Sequence, residues 1–214
     1  MTRVYILRLF FLLLPLPLLA NGWCYRGLDV DLGIGASAYL PMYKMNSNST
    51  WGTQESGKAG FTAQGNVGAN WLCRCWLLGI EGFGQYNSAE VQGSSENQFH
   101  RIDRSMEMNW DVGVLGRGGF YATPRMTYFV TVGADWGWNT LKEETQTTSI
   151  SVKKLHTGVR LGGGGEQFLW RNLILREDFA YTWFNEQNYT RGDNTRASIS
   201  PRLASFLFTL GWLF

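Results

Sequence analysis

From Lys58 to Trp71 the chain alternates strictly: Ala59, Phe61, Ala63, Val67, Ala69 and Trp71 interleave with Thr62, Gln64, Asn66, Gly68 and Asn70. Residues two apart share a face of a strand and neighbours do not, so this pattern is a strand with one apolar and one polar face. The pattern recurs. Eight such segments can be laid out, near residues 26–40, 58–71, 75–86, 104–120, 126–140, 151–166, 172–184 and 200–214. In the last, Phe206, Phe208, Leu210, Trp212 and Phe214 form one face and Leu207, Thr209, Gly211 and Leu213 the other.

The apolar sets can be assigned strand by strand. Leu28, Val30, Leu32 and Ile34 oppose Asp29, Asp31, Gly33 and Gly35, and Trp76, Leu78, Ile80 and Tyr86 oppose Glu81 and Gln85. Met106, Met108, Trp110, Val112 and Val114 oppose Glu107, Asn109, Asp111, Gly113 and Arg117. Tyr128, Val130, Val132, Trp136 and Trp138 oppose Thr131, Gly133 and Asp135, while Leu155, Val159 and Leu161 oppose Lys154, His156, Arg160 and Glu166. Leu173, Leu175, Phe179, Tyr181 and Trp183 oppose Arg176, Asp178 and Thr182, which leaves Glu177 on the apolar side. A bulge, or a position near a membrane interface, would accommodate that charge.

Connections alternate in length. Short turns lie at 72–74, 121–125 and 167–171, and long polar segments at 41–57, 87–103, 141–150 and 185–199. A sandwich has no reason to collect its short turns at one end, whereas an up-and-down barrel does. The polar face carries Asp, Glu, Arg, Gln and Asn, a poor lining for the apolar pocket of a soluble ligand-binding barrel. Apolar side chains facing lipid fit better. Strands in hydrocarbon must then close on themselves, because an open edge would strand backbone groups without partners. Trp71, Trp76, Trp110, Trp136, Trp138, Trp183 and Trp212 sit at strand ends, where interfacial aromatic girdles form. The expected fold is an all-β, eight-stranded antiparallel up-and-down transmembrane barrel over residues 23–214.

Residues 1–22 read as an export leader: Arg3 and Arg8, an apolar run from Ile6 to Ala20, and a small-x-small site at Ala20 to Gly22. No later stretch approaches eighteen unbroken apolar residues, which excludes a membrane helix. Lys and Arg total 19 against 17 Asp and Glu, with no basic stripe, so a nucleic-acid partner is not expected. Cys24, Cys73 and Cys75 fall at one rim of such a barrel, where Cys24 is a candidate to bridge either of the other two in an exported protein. No metal site or cofactor is expected, since one C-x-C and a remote cysteine are a weak ligand set.

The stretch Gly113 to Asp135, with its Gly-rich strand, Pro124 turn and aromatic–Val strand, resembles the small eight-stranded outer-membrane barrels of Gram-negative bacteria, the group of opacity proteins and the OmpA transmembrane domain. Leu175 to Tyr181 is similar to that group's penultimate strand. The resemblance covers roughly residues 26–214. It implies an outer-membrane location, contact with lipid and lipopolysaccharide, a single-copy barrel, and the final strand (Phe206, Phe208, Leu210, Trp212, Phe214) as the signal read by the outer-membrane assembly machinery.

Within the barrel, Glu81, Arg117, Asp135, Arg160, Arg176 and Asp178 form a candidate interior charge network. Arg117 is expected to meet Glu81, and Arg160 to lie between Asp135 and Asp178; buried charges in a narrow lumen must be paired. Catalysis is not expected: His100 and His156 lack a nucleophile at useful spacing. The expected role is structural and surface-interactive, through four outer loops. Adhesion to a host surface ligand is the alternative, with Arg191, Gly192 and Asp193 as a candidate motif, and a narrow gated ion channel is the third reading.

Overall fold

The computed structural model describes residues 24–45, 53–55, 57–97, 100–144, 149–190 and 196–214. The leader and the Arg191 to Asp193 motif lie outside them. All regular structure among the described residues is β. Thirteen strands follow in order: β1 (Cys24–Tyr39), β2 (Met42–Met45), β3 (Thr53–Glu55), β4 (Lys58–Cys73), β5 (Trp76–Asn87), β6 (Glu90–Asn97), β7 (His100–Thr123), β8 (Met126–Glu144), β9 (Ser149–Phe168), β10 (Leu173–Phe184), β11 (Gln187–Thr190), β12 (Arg196–Ser200) and β13 (Arg202–Leu213). Eight of them close a ring, β1-β4-β5-β7-β8-β9-β10-β13, in which every pairing is antiparallel and β13 returns to β1.

The ring has a definite stagger. Directly paired residues run Trp76, Phe120, Tyr128, Gly165, Glu177, Phe208, Ile34 and Ala63, then regain β5 at Tyr86, ten residues above the start. Stagger and strand tilt are linked, and a tilt of about 45° follows for a ring of this kind. Ten residues at about 3.4 Å each, so tilted, climb roughly 24 Å, close to the ~25 Å apolar band of outer-membrane barrels. Trp76 and Tyr86 therefore mark the two girdles. Tyr86 packs on Trp110 at a ring separation of 5.1 Å, and Trp76 on Phe120 at 6.5 Å.

Apolar side chains point outward. Leu32 is 73% exposed, Val130 64% and Phe61 51%, and Val132, Phe208 and Leu210 are also exposed. Asp31, Gln64, Glu81, Asp111, Arg117, Asp135, Arg160 and Thr209 are buried inside. This is the reverse of a water-soluble fold and matches a barrel surrounded by lipid.

One segment departs from the alternation. Met106 and Met108 are buried rather than outward, because the β7–β8 register slips between Met108 and Trp110. The extra residue, Asn109, is a bulge that inverts the faces of everything beyond it. No such bulge occurs at Glu177: the β9–β10 and β10–β13 registers run unbroken through it, and its side chain is exposed on the outer face.

The long polar connections are largely strand. β11, β12, β2 and β3 form a separate four-stranded sheet, and β6 pairs with the outer half of β7, which itself continues against the outer half of β8. At the opposite rim the tight turns are short. Arg74, at the tip of β4–β5, has φ 55°, and Gly27 takes φ 146° where β1 slips its register against β4. A Cβ on Gly27 would stand 2.3 Å from the Phe214 carbonyl oxygen, so the seam between first and last strands requires glycine there.

Candidate functional site: the filled lumen and its outer mouth

The inward faces converge on two tiers of charge. The tier nearer the chain ends is centred on Arg176 (β10) and Arg117 (β7). Arg176 donates to Glu81 at 2.6 and 3.1 Å, lies 3.3 Å from Asp31, and its Nε approaches Asp178 to 2.6 Å. Arg117 pairs with Glu166, lies 3.5 Å from Asp29 and reaches only to 4.0 Å of Glu81. Arg26 closes the rim by donating to Glu166 at 3.0 Å. Asp29, Asp31 and Glu81 are near enough together to share a cation, and the two guanidinium groups already supply that positive charge.

The second tier is built on Arg160 (β9). It donates to Gln85 at 2.8 Å and Gln64 at 2.9 Å, and stands 3.5 Å from Asp111 and 3.9 Å from Asp135. Asn87 donates to Asp111 at 2.6 Å and Thr182 to Asp135 at 3.0 Å. Asp178 is not an Arg160 partner; it belongs to Arg176. Aromatic faces complete the packing. Arg160 lies 4.3 Å over Phe83, while Arg117 and Arg176 lie 4.2 and 4.7 Å over Phe129. Each guanidinium is thus held between carboxylates and a ring, an arrangement that offsets the desolvation a narrow interior imposes.

Above these tiers the mouth is apolar. Tyr39, Ala89, Val91, Met106, Met108, Leu141, Phe184, Tyr189, Ile199 and Leu203 form one buried cluster, drawn from the outer ends of the barrel strands, from the β5–β6 connection at Ala89, and from β6, β11 and β12. A polar chain threads it. Asn185 carbonyl lies 2.9 Å from His156 Nδ1, and His156 Nε2 lies 2.8 Å from Tyr189 Oη. Asn139 donates to Tyr189 at 3.3 Å and accepts from Tyr39 at 2.9 Å. The Asn185 carbonyl can only accept, so Nδ1 carries the proton and Nε2 accepts from the Tyr189 hydroxyl. Burial pushes the Tyr189 hydroxyl up to about 12. On the outside, the Lys142 ammonium, bonded to Glu107 at 2.9 Å, is held above the usual lysine range by that carboxylate.

The structure brings Glu81, Arg117 and Arg176 together and Arg160 to Asp135, and adds Arg26, Asp29, Asp31, Asp111 and Glu166. Their inward faces were readable from the alternation except that of Arg26, which the register slip beside Gly27 turns inward; of the partners, only Glu81 for Arg117 and Asp135 for Arg160 were expected. Cys73 and Cys75 are free thiols, so no bridge involves them in this structure. Cys24 pairs through its backbone with Leu72, next to Cys73. His156 is committed to Asn185 and Tyr189, and no nucleophilic hydroxyl other than that phenol adjoins it in the contacts described.

A closed antiparallel ring of eight tilted strands, apolar outside and packed with paired charges inside, defines an integral outer-membrane β-barrel. The chain belongs to the outer membrane protein beta-barrel domain family, whose model matches residues 9–214. A 22 kDa outer membrane protein of Rhizobium leguminosarum bv. viciae is 28% identical over 131 residues, 61% of this chain and 56% of that protein; the match thus spans little more than half of the relative's length. Among solved structures, the outer membrane protease OmpT of Escherichia coli is similar at TM-score 0.54 and 9% identity, covering 92% of this chain and 99% of that one. OprG, an outer membrane protein of Pseudomonas aeruginosa, gives 0.52 and 10%, covering 89% and 98%. At such identities these likenesses concern the fold alone. The protein resides in the outer membrane.

Proposed function

We propose that the protein is a non-catalytic structural barrel that holds an ordered β surface outside the membrane. The observation carrying this reading is the filled interior: two tiers of arginine–carboxylate pairs lie beneath an apolar cluster that ties the outer strands to the barrel wall. A barrel of eight strands has room for its own side chains and little else. Ion passage would require separating buried pairs and wetting the apolar mouth together. Single-channel recording in planar bilayers tests this: no unitary steps are expected, and a reproducible conductance ladder would refute the reading.

Surface adhesion is a second reading, favoured by the four-stranded outer sheet, in which Thr190 pairs with Arg196 across the segment carrying Arg191, Gly192 and Asp193. Asp193→Glu should lower host-cell adherence if that segment binds. Unchanged adherence removes it.

A further inference from the structure

Glu177 is the one charged residue among the described outward positions between the girdles. On the paired path from Trp76 to Tyr86 it stands four strands along a circuit of eight. It is therefore about 12 Å from either girdle, at the middle of the apolar band by the same rise and tilt. Among the described residues no side chain bonds to it. Its flank is also unusual. On β9 the outward positions beside it, Gly163 and Gly165, carry no side chain. A shallow trough results, walled by Tyr128 and Val130 on β8 and by Glu177 and Phe179 on β10. On the other side Phe206 and Phe208 pack edge to face at 4.9 Å.

A carboxyl group at this depth is costly in hydrocarbon and needs a hydrogen-bonding partner. Lipid headgroups lie about 12 Å away, at the girdles, by the rise and tilt used above. A second copy in the same membrane carries its own Glu177 at the same depth by construction, and a bare glycine floor lets two barrels approach closely, as small residues do between membrane segments. We infer that the β9–β10 face is an interface between two copies of this chain, related by a two-fold axis along the membrane normal. At its centre the two Glu177 carboxyl groups meet across the axis and hydrogen-bond to each other. Paired in this way, neither carboxyl group is left to face lipid alone. This departs from the single-copy barrel expected from the sequence.

Sedimentation equilibrium of the full-length barrel in density-matched micelles tests the inference. The wild type should dimerise. Glu177→Leu, and Gly165→Leu, whose Cβ has ordinary space 3.6 Å from the Tyr128 ring, should each raise the dissociation constant at least about tenfold. Glu177→Gln, whose amide can hydrogen-bond across the axis in the same way, should stay within about threefold. Circular dichroism and heat-modifiable migration verify that each variant is folded. A wild type that is monomeric at every concentration, or an E177L dimer as tight as wild type, would overturn the proposal. So would a monomer that retains phospholipid which E177L releases, because the trough would then be a lipid site.

Discussion

Replacing Arg176 by Met removes the group on which three carboxylates depend. In the wild type it makes two bonds to Glu81 and single contacts to Asp31 and Asp178. Afterwards Glu81 keeps a distant Arg117 at 4.0 Å, and Asp31 and Asp178 keep no arginine among the ion pairs described. All four side chains are buried. Breaking a buried pair by removing one partner costs about 3–5 kcal/mol, which shifts the unfolding equilibrium by roughly two to three and a half decades. Met fills the space over Phe129 without a charge, so the loss is electrostatic rather than a cavity. Urea unfolding of the reconstituted barrel, followed by tryptophan fluorescence, measures the difference. Adding Asp31→Asn and Asp178→Asn to R176M should recover about 2 kcal/mol, since neutral amides replace stranded charges. R176M within about 0.5 kcal/mol of wild type would refute the premise that these pairs are dry and interdependent.

Gly27→Ala should destabilise the barrel by about 2 kcal/mol or more, since the new methyl meets the Phe214 carbonyl and the backbone sits at positive φ; the same unfolding assay reads it. Arg74→Gly should stabilise by about 1 kcal/mol, because φ 55° is a left-handed conformation that glycine adopts freely. Tyr189→Phe deprives buried His156 Nε2 of its donor and should cost about 1–3 kcal/mol, seen as faster hydrogen exchange in β11 and β12. Tyr189 should ionise near pH 12 by ultraviolet absorbance, a step absent from Y189F. Because its folded value is raised, its contribution is intact below about pH 10, the ordinary tyrosine value, and is lost as pH climbs through 12.

The barrel was legible because a lipid-facing strand writes its geometry into every second residue. Leu28 to Ile34, Phe61 and Val67, and Phe206 to Phe214 face outward as their spacing requires. The Met106 and Met108 faces were not legible, since one bulged residue, Asn109, inverts them without leaving a turn signal. The outer strands were hidden for another reason. Segments such as Glu90–Asn97 and Gln187–Thr190 are polar or mixed on both faces, so they lack the alternation that marks half-buried strands. Ion-pair partners depended on the stagger. Arg117 reaches Asp29 and Glu166, and Arg160 reaches Asp111, across a ring whose ten-residue offset no single segment encodes.

Spin labels placed one at a time at 128 to 135 on β8, in the protein reconstituted into liposomes, report directly which face meets lipid. Collision with oxygen, which concentrates in the bilayer, should peak at 128, 130, 132 and 134 and fall at 129, 131, 133 and 135. A flat profile, or maxima at the odd positions, would contradict a barrel whose apolar side chains point into the membrane.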